Sequence, residues 1–137
     1  MKLLATICFD KILDDAEQET YSKRNAVRAV LINEKKKIAL LYLQKYNYHK
    51  LPGGGIEKAE KQEQALIREI KEETGCSAEI IAELGFIIEL RTNIKQRQHS
   101  YCYLAKVLTK TSPEFTIEEK EAGMKLKWVL IDEAIRL

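Results

Sequence analysis

The sequence predicts an α/β fold, a single domain over residues 1–137 organised around a mixed β-sheet. Three observations carry that expectation. Short runs dense in aliphatic, β-branched and aromatic residues recur along the chain. One long segment, 61–74, has no proline or glycine and is rich in Glu, Gln, Ala, Leu and Ile. The length of 137 residues suits one core and is small for two.

Taken in order, residues 3–9 mix β-branched and aromatic side chains and read as a first strand. Residues 14–23 are polar and acidic and read as a surface loop. The nearly continuous apolar runs 26–32 (A-V-R-A-V-L-I) and 38–43 (I-A-L-L-Y-L) read as strands buried on both faces, joined by a charged turn into a hairpin. The helix 61–74 follows, then a strand over 78–90 interrupted near Gly85, and another over 100–107. Residues 109–123 hold Pro113 and several glutamates and read as a loop with a turn of helix. A last strand spans 126–131 with the only tryptophan, Trp128, and Asp132 is placed to cap a short terminal helix beginning at Glu133.

Composition narrows the functional classes. Hydrophobic residues at 45% and charged residues at 32% describe a globular chain. The 23 basic and 21 acidic side chains nearly cancel, to +2, which argues against a nucleic-acid polymer or a membrane surface as partner. A small anionic ligand needs only a local positive pocket. Cys8, Cys76 and Cys102 are odd in number and widely spaced, so reduced thiols in a cytoplasmic protein are expected. The apolar run at 3–9 is too short for a signal peptide, and no stretch approaches membrane-spanning length.

The chemistry concentrates between Leu51 and Cys76. Pro52 and the glycines Gly53, Gly54 and Gly55 lead through Glu60 into the helical segment with Arg68, Glu69, Glu72 and Glu73, which Gly75 ends. On a helix, Glu69, Glu72 and Glu73 lie at i, i+3 and i+4 and share one face. Leu66, Ile67 and Ile70 fall on an adjacent face suited to packing on the sheet, with Ala65 among the carboxylates. Like charges so close repel, and a hard divalent cation removes that repulsion. Arg68 is spaced to orient the carboxylates by forked hydrogen bonds. The glycines let backbone groups approach a metal or a phosphate.

The whole order is Gly54, five residues, Glu60, seven residues, Arg68-Glu69-Ile70, one residue, Glu72-Glu73, one residue, Gly75-Cys76. It resembles the signature of the Nudix hydrolases, G-x5-E-x7-R-E-U-x-E-E-x-G-U with U a bulky apolar residue. Every charged and glycine position matches, and Cys76 at the final apolar position is the one departure. The resemblance implies an α/β/α sandwich with the signature as a loop, helix and loop. It implies hydrolysis of a nucleoside diphosphate linked to another moiety, with Mg²⁺ or Mn²⁺. Carried over by position, Glu69, Glu72 and Glu73 would be metal ligands with the Gly54 carbonyl. Glu60 would support the site, Arg68 would orient the glutamates, and Glu69 is the chosen general base. The acidic cluster before Trp128 (Glu118, Glu119 and Glu121) would add one further ligand or base, with Glu121 the expected residue.

The arginine-rich, proline and S-Q-P-W-P-F-P-x-S motifs of other Nudix substrate classes are absent. What remains resembles the small MutT-like enzymes that turn nucleoside triphosphates into monophosphate and pyrophosphate. Hydrolysis of a dinucleoside polyphosphate or a nucleotide sugar is the alternative. A sensing module that binds without turnover would be expected to have lost signature glutamates. Candidate substrate contacts are Tyr48, His49 and Lys50 before the glycines and Arg91, Gln98 and Tyr101 after the helix, from aromatic stacking and phosphate pairing. Small size and the resemblance together suggest a homodimer.

Overall fold

The structure is a computed structural model that describes residues 1–8 and 12–137. Its frame is a mixed eight-stranded sheet. The strands are β1 (Leu3–Cys8), β2 (Ser22–Ile32), β3 (Lys37–Leu43), β4 (Tyr48–Lys50), β5 (Gly53–Gly55), β6 (Cys76–Arg91), β7 (Gln96–Lys110) and β8 (Met124–Leu130). The helices are α1 (Asp15–Glu19), α2 (Gln62–Thr74), α3 (Ile117–Glu121) and α4 (Ile131–Arg136). The main path runs β1-β6-β7-β2-β3-β4, with β5 on β2 and β8 on β3. The pairs β1–β6 and β2–β7 are parallel and the others antiparallel. The expected α/β/α layering is present.

Strand alternation divides the side chains between two faces. Val27, Ala29 and Leu31 of β2 point towards α2 and pack with its Ala65, Leu66 and Ile70 and with Tyr103 and Ala105 of β7. Leu13, ahead of α1, covers Ile88 and Leu90 on the same side. On the opposite face, Ala134 of α4 packs with Val30, Ile38, Leu40 and Val129. That helix is short, so the part of this face formed by β6, β7 and the start of β2 carries no helix. The open area becomes important below.

Several boundaries differ from those the sequence predicts. The segment 14–23 is no loop. Asp14 caps α1 by accepting the Glu17 N–H at 2.7 Å, and β2 begins at Ser22 because its polar end pairs in parallel with β7. The 26–32 and 38–43 strands form a hairpin only at its base, Ile32 opposite Ile38. Beyond it β3 turns to β4 and β8, and β2 to β5 and β7. Strand β6 stays continuous past Gly85, absorbing the irregularity as a register shift between Glu83 and Gly85. Strand β7 extends beyond 100–107 in both directions because β6 pairs along its length. Asp132 does not cap α4. Leu130 holds that position and Asp132 lies in the first turn, where its charge still suits the helix dipole. Phe9, the expected end of the first strand, lies outside the described residues.

Candidate active site

Helix α2 presents Arg68 as the hub of the site. Its Nε and Nη2 donate to both oxygens of Glu60, at 2.7 and 3.0 Å. Nη2 also donates to the Gly55 carbonyl at 3.1 Å. Nη1 donates to Glu69 Oε1 at 3.0 Å and to Glu72 Oε2 at 3.4 Å. One guanidinium therefore ties the loop carrying Glu60 and Gly55 to two helix carboxylates. The Arg68 fork and the Glu57 N–H hold the Glu60 carboxyl down at about 2. Arg68 itself is held above its ordinary value, first by Glu60. Glu60 accordingly supports the loop through Arg68.

The backbone of β5 lies against Glu69. A Cβ on Gly54 would stand 2.5 Å from Glu69 Oε1, so only glycine lets the strand approach the carboxylate this closely. At the other end of α2, Gly75 caps the helix in the left-handed region, φ 72°, and a Cβ there would meet the Thr111 carbonyl at 2.1 Å. The helix is thus pinned against β5 at Glu69 and at its C-terminus by positions that leave no room for a side chain.

Glu73 lies deeper than its neighbours. Its side chain is 3% exposed, its Oε1 accepts the Gly53 N–H at 2.7 Å, and its Oε2 faces Lys50 Nζ at 3.4 Å. Burial pushes its carboxyl up to about 7 despite Lys50 and the Gly53 N–H, and Glu119 of α3 raises it further. Glu69 is also raised, first by burial, with Arg68 opposing and Glu72 adding to the rise. The helix face accordingly differs from the one expected. Ala65 and Glu73 belong to the buried arc, because β2 and β5 close over that side of α2. Ile67, expected to pack on the sheet, is 37% exposed. Of the acidic cluster on α3, Glu119 interacts with Glu73, whereas Glu121 is exposed on the helix.

Among the described residues, no three His, Cys, Asp or Glu side chains form a ready-made cage for a cation. The donors still fit a hard divalent ion. Glu69 and Glu72 converge on Arg68 Nη1 beside the Gly54 backbone, and an ion such as Mg²⁺ uses one or two carboxylates and completes its shell with water and substrate phosphate. Glu73, engaged with Gly53 and Lys50, is the least available of the three.

Beside this cluster a cavity of about 600 Å³ opens onto the helix-free sheet face. Tyr48, His49 and Lys50 form one wall, and Arg28, Glu89, Arg91, Ser100 and Cys102 contribute to the rest. Of the residues expected from sequence to meet substrate, Tyr48, His49, Lys50 and Arg91 reach this cavity. Gln98 and Tyr101 do not line it, and being an odd number of residues apart on β7 they cannot share a face. Tyr101 packs towards α2 and lies 5.9 Å from Phe86, ring to ring. Gln98 is fully buried and donates to Glu89 Oε2 at 2.7 Å and Ser100 Oγ at 3.0 Å, while accepting from Arg24 Nη1. Arg24, Arg28 and Glu89 are the residues that sequence reasoning passed over, and within the acidic cluster it preferred Glu121 to Glu119. A signal existed for Arg28, a lone charge inside the apolar run 26–32.

The sequence profile of the NUDIX domain matches residues 22–137. The chain belongs to the Nudix family. It is 33% identical over 72 residues to the "Putative 8-oxo-dGTP diphosphatase" of Bacillus subtilis (strain 168), covering 53% of this chain and 47% of that protein. It is 27% identical over 123 residues to the human diphosphoinositol polyphosphate phosphohydrolase 2, covering 88% of this chain and 64% of that protein. The chain thus spans about half to two thirds of the length of these curated relatives. Among solved structures, the MutT protein of Methanosarcina mazei Go1 superposes with a TM-score of 0.67 at 18% identity, covering 85% of this chain and 83% of that one. A Nudix hydrolase from Nitrosomonas europaea gives a TM-score of 0.67 at 21% identity, covering 84% and 77%. The fold is the Nudix fold.

Proposed function

We propose that this single Nudix domain is a divalent-cation-dependent pyrophosphohydrolase of nucleoside triphosphates, modified ones included, releasing a nucleoside monophosphate and pyrophosphate. The observation that carries this reading is the convergence of Glu69 and Glu72 on Arg68 beside the Gly54 backbone, with Lys50, the ion-pair partner of neighbouring Glu73, lining a cavity wide enough for a nucleotide. The name of the Bacillus subtilis relative supports a nucleoside triphosphate substrate.

Glu69, Glu72 and the Gly54 carbonyl would hold Mg²⁺ or Mn²⁺. An ion there would polarise the phosphoryl oxygens and acidify the attacking water. Glu69 uses Oε1 for Arg68, which leaves Oε2 to take the proton of that water. The Arg68 fork keeps this carboxylate and Glu72 in register with the loop. Lys50, between Glu73 and the cavity, and Arg91 on its wall supply positive charge to substrate phosphates. Glu73 works from behind by fixing Gly53 and Lys50.

A panel of nucleoside triphosphates, dinucleoside polyphosphates and nucleotide sugars with Mg²⁺ or Mn²⁺, read by product analysis, tests the reading. Pyrophosphate release from a triphosphate is expected. Failure to turn over any nucleotide or conjugate would sink it, and cleavage of the conjugates alone would replace it with hydrolysis of another nucleoside diphosphate derivative.

A further inference from the structure

The helix-free sheet face next to the carboxylates carries two arginines, Arg24 and Arg28, that the hydrolytic chemistry leaves unused. On β2, Arg24 and Arg28 point to this face, and Arg91 joins them from β6. Arg28 Nη1 is buried and has no hydrogen-bond partner among the described residues. A buried donor without an acceptor is costly, and such a donor lining a cavity calls for a ligand that supplies one. Among the described residues lining the cavity, Glu89 is the only carboxylate. Its Oε2 is already engaged by Gln98 at 2.7 Å and Ser100 at 3.4 Å, with Arg91 Nη2 at 3.9 Å.

A neutral carbonyl could accept from Arg28 but would leave the guanidiniums repelling one another. That repulsion is felt at Arg24, whose hold on its proton is weakened first by burial and then by Arg91 and Arg28. An anion relieves both problems, and phosphate matches the guanidinium fork. Arg24 also borders the hydrolytic site, since a Cβ on Gly55 would stand 2.7 Å from its Nη2. The cluster therefore begins at the catalytic loop and continues along the sheet.

We infer that the floor of this cavity is an anion subsite, in which Arg28, flanked by Arg24 and Arg91, takes a phosphate group of the substrate other than those of the anhydride being cleaved. The inference rests on the hydrolase reading to the extent that the cavity's ligand is taken to be the substrate. A phosphorylated ribose or a phosphorylated inositol ring could present such a group.

Calorimetric binding to the full chain in EDTA, where hydrolysis is suppressed, separates the two claims. The probes are adenosine 5′-monophosphate, adenosine 3′,5′-bisphosphate and inositol hexakisphosphate. At least one multiply phosphorylated probe should bind about tenfold or more tightly than the monophosphate. Arg28→Gln should remove that gain while leaving monophosphate binding and the melting temperature unchanged, and Arg28→Lys should keep part of it. Should Arg28→Gln not fold, Arg28→Lys carries the comparison, since lysine keeps the charge and loses the fork, and a gain it leaves undiminished overturns the subsite. A gain for the bisphosphate identifies a phosphorylated ribose as the source, and one for the hexakisphosphate alone identifies an inositol phosphate. No gain for either probe, or a gain that survives the substitution, overturns the subsite. A gain in a protein that turns over no nucleotide overturns nucleotide hydrolysis and leaves the subsite standing.

Discussion

Glu73 is a carboxyl for which burial competes with a lysine and a backbone N–H, and its pH dependence follows from that competition. Its ordinary value of 4.5 rises to about 7 in the folded protein, so the folded state holds the proton more tightly than the unfolded one. The resulting stabilisation is complete below 4.5 and is lost as pH rises through about 7. In the metal-free protein the melting temperature should fall across that interval, and Glu73→Gln should flatten the slope while keeping the acceptor for the Gly53 N–H. An unchanged slope would remove Glu73 as its cause. Glu60 has the opposite sign. Held at about 2, it contributes stability above 4.5 that is lost as pH falls towards 2. For turnover, Glu69→Gln should cost about 10²–10⁴-fold in kcat if this residue takes the proton from water, with a normal melting curve. Steady-state kinetics beside circular dichroism checks this, and wild-type turnover in the variant would reassign the base.

At the scale of elements, α2 is pinned at two points, by β5 against Glu69 and by Gly75 at its C-terminus. Gly54→Ala places a methyl against the Glu69 carboxylate, which is the mobile end of a side chain and can shift. Activity should therefore drop at least about tenfold while the fold persists, a misplacement effect visible in kcat with little change in melting temperature. Gly75→Ala meets backbone at a left-handed position and should act on stability, costing about 1–2 kcal/mol in a denaturant titration. Equal effects of both substitutions on stability would contradict this division. The helix was legible because its composition and its glycine stop agree with its tertiary setting. Strand β7 was only half legible. Its polar start, Gln96 to His99, pairs with both β2 and β6, and an isolated strand pattern does not show partners distant in sequence. The same limit allowed Gln98 and Tyr101 to be grouped as substrate contacts, although strand parity separates them.

Across the whole molecule, the carboxylates of α2 sit between the loop after β5, which Arg68 ties to them, and α3, whose Glu119 reaches Glu73, so a bound cation would add a further link among these elements. Saturating Mg²⁺ or Mn²⁺ should raise the melting temperature relative to EDTA, by the equivalent of about 2.7 kcal/mol at a hundredfold excess over the dissociation constant. The rise should shrink in Glu72→Gln, and differential scanning fluorimetry reads both. An identical rise in the variant would place the ion elsewhere. Among the described residues, no helix is long and apolar enough to cross a membrane.

The order of Gly54, Glu60, Arg68, Glu69, Glu72 and Glu73 determined the family without any structure, and the proposed chemistry follows from it. Those residues lie within one loop and one helix, where spacing along the chain sets spacing in space. Tertiary structure decided what spacing cannot encode. It sank Glu73 beneath Gly53 and Lys50, brought Glu119 to it while leaving Glu121 in solvent, and gathered Arg24, Arg28, Glu89 and Arg91 on one face. These residues come from strands far apart in sequence, and their meeting depends on parallel pairing and register. Neither leaves a local signature in the chain.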